Sequence, residues 1–431
     1  MSRFYVISPN VDGSGERVDE FLDTMFNHHV TLMGWGEENP KGQMFRKMKK
    51  GDYVICAQGA NKNKRVFFAG KISSSTYEEW PFQRNLSGFV DLRKEKDMFN
   101  EENSYGAASQ IPAIYELKNN ADKHLCETIK TKVDMAEKNE TLGIITQIAI
   151  TKKNIILQGA PGTGKTYNTA ELALSIIGED FDTQTLMSKY NALRDGGQIE
   201  FVTFHQSMDY EDFIEGLKPS IENGVITYKV EDGVFKRICQ KAKENPEKNY
   251  VLIIDEINRG NVSKIFGELI SLIEVDKRTG SEEGHPLTAR LPYSKGEPFG
   301  VPSNLYIIGT MNTTDRSVGS VDYAIRRRFA FFTLKSDRTI VENSYSDEKE
   351  RNEAVLLFNA VRNYIQKTKT DMDADDLMVG HSYFMYNKGE GLQQKWDYAI
   401  LPLLTEYYKD GICSKNPEKD MRSFVNTYNN K

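Results

Sequence analysis

The sequence contains no apolar run near the ~20 residues that a membrane-spanning helix needs, and Met1-Ser2-Arg3-Phe4 opens without the apolar core of a secretory leader. The expectation is a cytoplasmic protein that meets no membrane. Cysteine is scarce: Cys56, Cys126, Cys239 and Cys413 lie far apart and form no C-x-x-C pair, so spacing suggests neither a zinc site nor a disulfide framework. Proline, at 13 residues, is too sparse for a disordered or fibrous chain. A coat of positive charge is missing as well, since the formal net charge is −6. One basic segment stands against that average: Lys41, Arg46, Lys47, Lys49 and Lys50, followed by Lys62, Lys64 and Arg65. What remains is a globular composition, 39% hydrophobic and 27% charged, over 431 residues, room for two or three domains.

Residues 1–117 read as a small α+β or β-barrel-like domain. Its strands are Phe4 to Ile7, Tyr53 to Ala57, Val66 to Ile72 and Ile111 to Leu117, with a helix from Val18 to Phe26. Residues 118–140 are polar and helix-compatible, and suit a linker or an outer helix. Over 141–335, strand candidates at Ile155 to Leu157, Ile199 to Thr203, Tyr250 to Ile254, Leu305 to Gly309 and Phe329 to Leu334 alternate with helical segments, the pattern of a parallel sheet covered on both faces. Two hairpin-like inserts interrupt it, Ser220 to Val230 and Leu287 to Pro302. From 336 to 431 the apolar spacing turns helical.

The chemistry gathers in the alternating region. GAPGTGKT, residues 159–166, stands between a strand and a helix and fills every fixed position of a P-loop (Walker A). Gly162 and Gly164 would let the backbone turn its N–H groups toward phosphate oxygens, helped by the helix N-terminus, with Gly159, Pro161 and Thr163 completing the nucleotide-binding loop. Lys165 would reach the β- and γ-phosphates and Thr166 would offer a hydroxyl to Mg²⁺. VLIIDEINRG, residues 251–260, delivers Asp255 for the Mg²⁺ shell and Glu256 for the attacking water at the carboxyl end of a strand. In IIGTMNTTDRS, residues 307–317, Asn312 could hold that water or the γ-phosphate, with Asp315 on the same loop. VDYAIRRRF, residues 321–329, ends a helix-like segment with Arg326, Arg327 and Arg328, read either as dipole compensation or as an arginine finger for a neighbouring subunit.

These motifs, with FHQSMDYEDFIEGLKP at 204–219, DEINRGNVSKIFGELISLIE at 255–274 and GHSYF at 380–384, resemble the AAA+ NTPases and, more narrowly, the McrB family, the GTP-driven motor of a modification-dependent restriction system. The resemblance covers roughly residues 145–420. It implies an AAA+ core with a five-stranded parallel sheet and a helical lid, a hexameric ring, and Asn312 as sensor 1 within a catalytic MNTTDRS loop. It also implies one or more of Arg326, Arg327 and Arg328 as trans-acting fingers, and a McrC-like partner that carries the nuclease. GTP preference comes from the resemblance alone; no N-K-x-D motif occurs, which keeps ATP open.

The N-terminal FYVISPN strand, the MGWG turn and the MKKGDYVICAQG…VFFAGKI pair are similar to EVE, YTH and other PUA-like domains, which hold a modified base in an aromatic pocket. Trp35, Trp80, Tyr53 and Phe67 are the candidate walls, and Lys47, Lys49 and Lys50 the candidate phosphate contacts on DNA. The expected function is a GTP-hydrolysing McrB-like motor that recognises modified or foreign DNA and drives a separate nuclease. The rivals are an ATP-dependent remodeler of protein complexes whose N-domain binds a protein, and a slow NTPase switch serving the N-domain.

Overall fold

The computed structural model describes residues 2–11, 13–35, 38–59, 65–74, 81–95, 114–117, 122–222, 225–281, 284–294, 296, 298–314 and 323–421. They form two compact units, Met1–Gly143 and Ile144–Lys431.

The first unit is a six-stranded mixed sheet in the order β2-β5-β4-β3-β1-β6. Its elements are β1 (Phe4–Ile7), α1 (Val18–His28), β2 (Val30–Met33), α2 (Pro40–Lys47), β3 (Tyr53–Gln58), β4 (Arg65–Ile72), β5 (Phe82–Asp91) and β6 (Ile114–Glu116), followed by helix α3 (Lys123–Lys152). β1 and β3 are parallel and the other described pairings antiparallel. Because side chains alternate along a strand, the sheet feeds two cores. Tyr5, Ile7, Val54 and Cys56 face Phe21 and Met25 of α1 and Phe45 of α2, while Val6, Tyr53, Ile55 and Ala57 face the other way.

That second core is closed by α3, whose Leu125, Ile129 and Val133 repeat every four residues and are buried. The unit therefore runs to Gly143 rather than stopping near residue 117. The segment looks polar in sequence because three apolar residues in one stripe suffice to seal a sheet face.

The second unit is built on five parallel strands in the order β13-β7-β12-β11-β8. They are β7 (Asn154–Gly159), β8 (Ile199–Thr203), β11 (Tyr250–Asp255), β12 (Leu305–Asn312) and β13 (Ala330–Thr333). Val251 to Ile254 are wholly buried, as expected of a strand covered on both faces. Between the strands run α4 (Lys165–Ile177), α5 (Leu186–Asp195), α6 (Tyr210–Phe213), α7 (Val234–Glu244), α8 (Val262–Phe266) and α9 (Tyr323–Arg326). A hairpin of β9 (Glu215–Glu222) and β10 (Val225–Asp232) stands apart from the sheet. A helical lid follows: α10 (Arg338–Ser344), α11 (Glu348–Thr368), α12 (Ala374–Leu377), α13 (Leu392–Lys395), α14 (Leu401–Lys409) and α15 (Pro417–Asp420). It has its own core, in which Phe358, Val361 and Ile365 of α11 meet Phe384, Trp396 and Leu404.

The strand order positions the site. β12 lies between β7 and β11 although it comes after both in the chain, so Asn312 pairs in register with Gly159 and Gly309 with Ile254. Three strand ends, carrying the glycine loop, Asn312 and the Asp255-Glu256 pair, thus reach one edge.

Candidate active site: a phosphate cradle at the sheet edge

After β7 the chain turns through Gly162 (φ +78°) and Gly164 (φ +77°), left-handed conformations that suit glycine, and enters α4 at Lys165. The turn is held from within by Thr163, whose hydroxyl donates to the Ala160 carbonyl at 2.9 Å. Lys165 is 9% exposed, and its ammonium donates to the carbonyls of Gly159 (3.0 Å) and Ala160 (2.9 Å). Burial pulls its pKa down to about 8, against a smaller opposing pull from Glu256 and Asp255. A buried cation held only by carbonyls suits an anion, and the glycine turn leaves its backbone bare. These residues fit a nucleotide phosphate. Thr166 is exposed at the mouth of the loop.

Bound phosphate favours the charged ammonium, so above about pH 8 nucleotide binding must take up a proton at Lys165. Affinity should therefore be flat near pH 7 and fall above pH 8, approaching about tenfold per unit. Titrations at pH 7, 8 and 9 check this, and Lys165→Arg, which cannot lose its proton, should flatten the profile.

At the end of β11, Asp255 accepts from the Thr310 hydroxyl at 2.5 Å, and the same oxygen of Thr310 receives the Glu256 N–H at 3.0 Å. Thr310 thereby ties the Asp255 carboxylate to the Glu256 backbone. Glu256 has φ 52° and ψ 46°, an uncommon place for a non-glycine residue, and its side chain is held from two sides. The Asn312 amide donates to Oε1, and Arg259 Nε lies 3.4 Å from Oε2. Such strain, about 1–3 kcal/mol, persists where surrounding contacts over-determine it. Among the described residues no cluster of three or more His, Cys, Asp or Glu could hold a metal. Mg²⁺ is usually held by one or two protein groups plus substrate phosphates, and Thr166 and Asp255 would supply oxygens to it at this edge.

The lid reaches the cradle directly. Gly380 N–H donates to Pro161 O (3.0 Å) and Ser382 N–H to Gly162 O (3.1 Å). A side chain on Gly380 would stand 2.0 Å from the Gly162 carbonyl carbon, so backbone packs on backbone.

Gly159, Pro161, Gly162, Thr163, Gly164, Lys165, Thr166, Asp255, Glu256 and Asn312 are thus brought to one edge by β7, β11 and β12, while Asp315 lies outside the described residues. The three arginines separate. Arg328 is 6% exposed in its side chain and pairs with Glu274 at 2.7 Å; Arg327 pairs with Glu274 at 2.8 Å but is 67% exposed. Arg326 is exposed and leans over the Phe331 ring at 5.5 Å. Thr310 and Arg259 were not singled out by sequence. Thr310 had a signal, because it stands two residues before Asn312 in a strand and so faces the same side.

The first unit corrects one expectation. Tyr53 is 1% exposed, stacks on Phe4 (4.7 Å, 8°) and donates its hydroxyl to Asp134 of α3 at 2.6 Å, so it is core and not the wall of a base pocket. Trp35 is half-buried, with the Lys41 ammonium 4.6 Å over its ring. Lys47, Lys49 and Lys50 are exposed at and just after the end of α2, and Trp80 lies outside the described residues. Among the described residues, no helix is long and apolar enough to cross a membrane.

The five-stranded parallel sheet with its cradle, acidic pair and helical lid defines an AAA+ P-loop NTPase module. Residues 154–329 match the AAA domain (dynein-related subfamily) family and residues 356–415 match the McrB alpha-helical lid domain. The chain carries a McrB-like AAA+ domain followed by a McrB lid. It is similar to the type IV methyl-directed restriction enzyme EcoKMcrB subunit of Escherichia coli (strain K12), 40% identical over 274 residues. That likeness covers 60% of this chain and 54% of the relative, so the chain spans about half of that protein's length. It is also similar to the type II restriction enzyme BsuMI component YdiS of Bacillus subtilis (strain 168), 27% identical over 314 residues, 68% of this chain and 89% of the relative.

Proposed function

We propose that the protein is a GTP-hydrolysing motor of a restriction system, working as a ring, a hexamer by resemblance, that drives a separate McrC-like nuclease against DNA recognised by the first unit. The observation that carries the reading is the meeting of Lys165, Asp255, Glu256 and Asn312 at one sheet edge, in a chain similar to two proteins named as parts of restriction enzymes. Lys165 binds the phosphates, Thr166 and Asp255 hold Mg²⁺, and Glu256, aimed by Asn312, orients the attacking water. The preference for GTP over ATP rests on resemblance. Turnover measured with each nucleotide tests it, and ATP used at least as well as GTP would favour the remodeler.

Arg326 and Arg327 act on a neighbouring subunit. Arg327 is tied to Glu274, whose neighbour Ile273 is bonded to Asn154 at the first residue of β7, whereas the cradle follows the last, Gly159. Five strand steps of ~3.3 Å put about 16 Å between those ends, which supports a role in trans.

For the first unit the reading is recognition of a modified base near Trp35, with Lys47, Lys49 and Lys50 on phosphates. In the full chain Lys49→Ala or Lys50→Ala should weaken binding to all DNA alike and lower the salt slope by about one. Trp35→Ala should erase discrimination, with stacking worth roughly 1–3 kcal/mol per base. Titrations with matched modified and unmodified duplexes at several salt concentrations separate the two. No affinity for either duplex at low salt would move the reading to a protein partner.

A further inference from the structure

Arg278 is fully buried, and among the described residues no carboxylate pairs with it. Its Nε donates to Ile273 O at 2.9 Å, one terminal nitrogen to Pro302 O (3.1 Å) and Leu305 O (3.2 Å), and the other to Asn154 Oδ1 at 2.7 Å. Asn154, 0% exposed, passes the constraint on: its amide donates to Ile273 O at 2.9 Å and to Arg328 O at 3.0 Å. Glu274, next to Ile273, takes the Arg327 and Arg328 guanidinium groups. A buried charge facing only amide oxygens is costly. A fold that needed only packing there would be served by an apolar residue. The network joins five backbone or side-chain points: the first residue of β7, the turn at Ile273, the close of the second insert at Pro302, the start of β12 and the last of the three arginines. The arginine run is thereby gripped twice, at the Arg328 carbonyl and through Glu274, while Arg326 and the 67%-exposed Arg327 project from it.

We propose that Asn154 and Arg278 are positioning residues that, with Glu274, hold Arg326 and Arg327 at the angle needed to reach the neighbouring subunit's nucleotide. Neither touches nucleotide; they act through the arginine run. This rests on the trans role of the arginines given above.

The physical argument is one of register. Each of the two projecting arginines is long and flexible, so its reach is useful only if its backbone is fixed, and a misplacement of about 1 Å at a charge-stabilising group can cost on the order of 100-fold in rate. The hub ties the run to β7, the strand that leads into this subunit's own cradle.

The test uses the full chain with Mg²⁺ and GTP. Asn154→Ala is the direct variant; Glu274→Gln, at a residue 24% exposed in its side chain, is the milder one if the first fails to fold. Both should bind GTP with affinity within about twofold of the parent while turnover falls about 10- to 100-fold. Mixing separates positioning from damage to the subunit's own site. Either variant co-assembled with Glu256→Gln should regain turnover, because its intact cradle then meets an intact arginine run. Co-assembled with Arg327→Ala it should not. Parent-level turnover in both variants overturns the proposal, as does failure to recover with Glu256→Gln under conditions where Arg327→Ala does recover. If Arg326→Ala and Arg327→Ala both hydrolyse at the parent rate, the trans reading itself fails and the hub has nothing to position.

Discussion

Glu256→Gln should bind nucleotide as the parent does and turn it over at least 100-fold more slowly. The carboxylate is held by Asn312 and Arg259 and its backbone by Thr310, so the isosteric amide keeps its place. What it loses is the negative charge that polarises water, an effect worth about 10²–10⁴ in rate for a positioned base. Lys165→Ala should do the reverse and weaken binding itself. Charge-assisted hydrogen bonds of about 1.5–3 kcal/mol are lost from a buried position built around carbonyls, on the order of 10- to 100-fold in affinity. Equilibrium binding and steady-state turnover on both variants give the comparison. Parent-rate hydrolysis by Glu256→Gln would remove it from the chemistry, and Asp255 would have to carry both roles.

The second large effect belongs to the exposed arginines. Arg326→Ala or Arg327→Ala should leave binding intact and lower turnover by up to about 10³–10⁵, the range an arginine finger supplies. Arg328→Ala should show up first as lost stability, since its side chain is buried against Glu274. A ring mixing Arg327→Ala with Glu256→Gln regains activity wherever a subunit with an intact Glu256 meets one with an intact arginine. Co-assembly without recovery, shown by sedimentation of the mixture, would place the arginines in structure alone.

Much of this site was readable because its parts are short motifs with fixed spacing at strand ends. GAPGTGKT, Asp255-Glu256 and Asn312 each follow an apolar run, and a parallel sheet brings such ends together. Thr310 was hidden because a threonine inside a strand looks like ordinary β-propensity, and only its place beside Asp255 lets its hydroxyl serve both Asp255 and Glu256. Arg278 was hidden for the opposite reason: in DKRTGSEEG it reads as one more surface charge, and its partners Asn154, Pro302 and Leu305 lie far away in the chain.

In the first unit, β2 and β5 carry no clear strand signal in their sequence. The Arg84 to Gly88 stretch of β5 is mostly polar or small, and β5 pairs with β4 through a register shift, so no clean alternation survives in the sequence. Tyr53 misled because an aromatic beside a basic turn looks available for stacking, while its partner Asp134 lies 81 residues away on a helix.

The backbone contact between Gly162 and Gly380 has a consequence for how this molecule can diverge. A side chain on Gly380 would meet the Gly162 backbone, while one on Gly162 would need a left-handed φ of +78° and would meet Ser382 and Tyr383, so no change at either glycine rescues a replacement at the other. A saturation library should leave both sites nearly blank, with double replacements no better than single ones. The rest of the lid's outer surface should tolerate wide variation. Lids from distant homologues should therefore be exchangeable between modules as whole cassettes, provided the graft carries its own glycine into the turn that meets the loop.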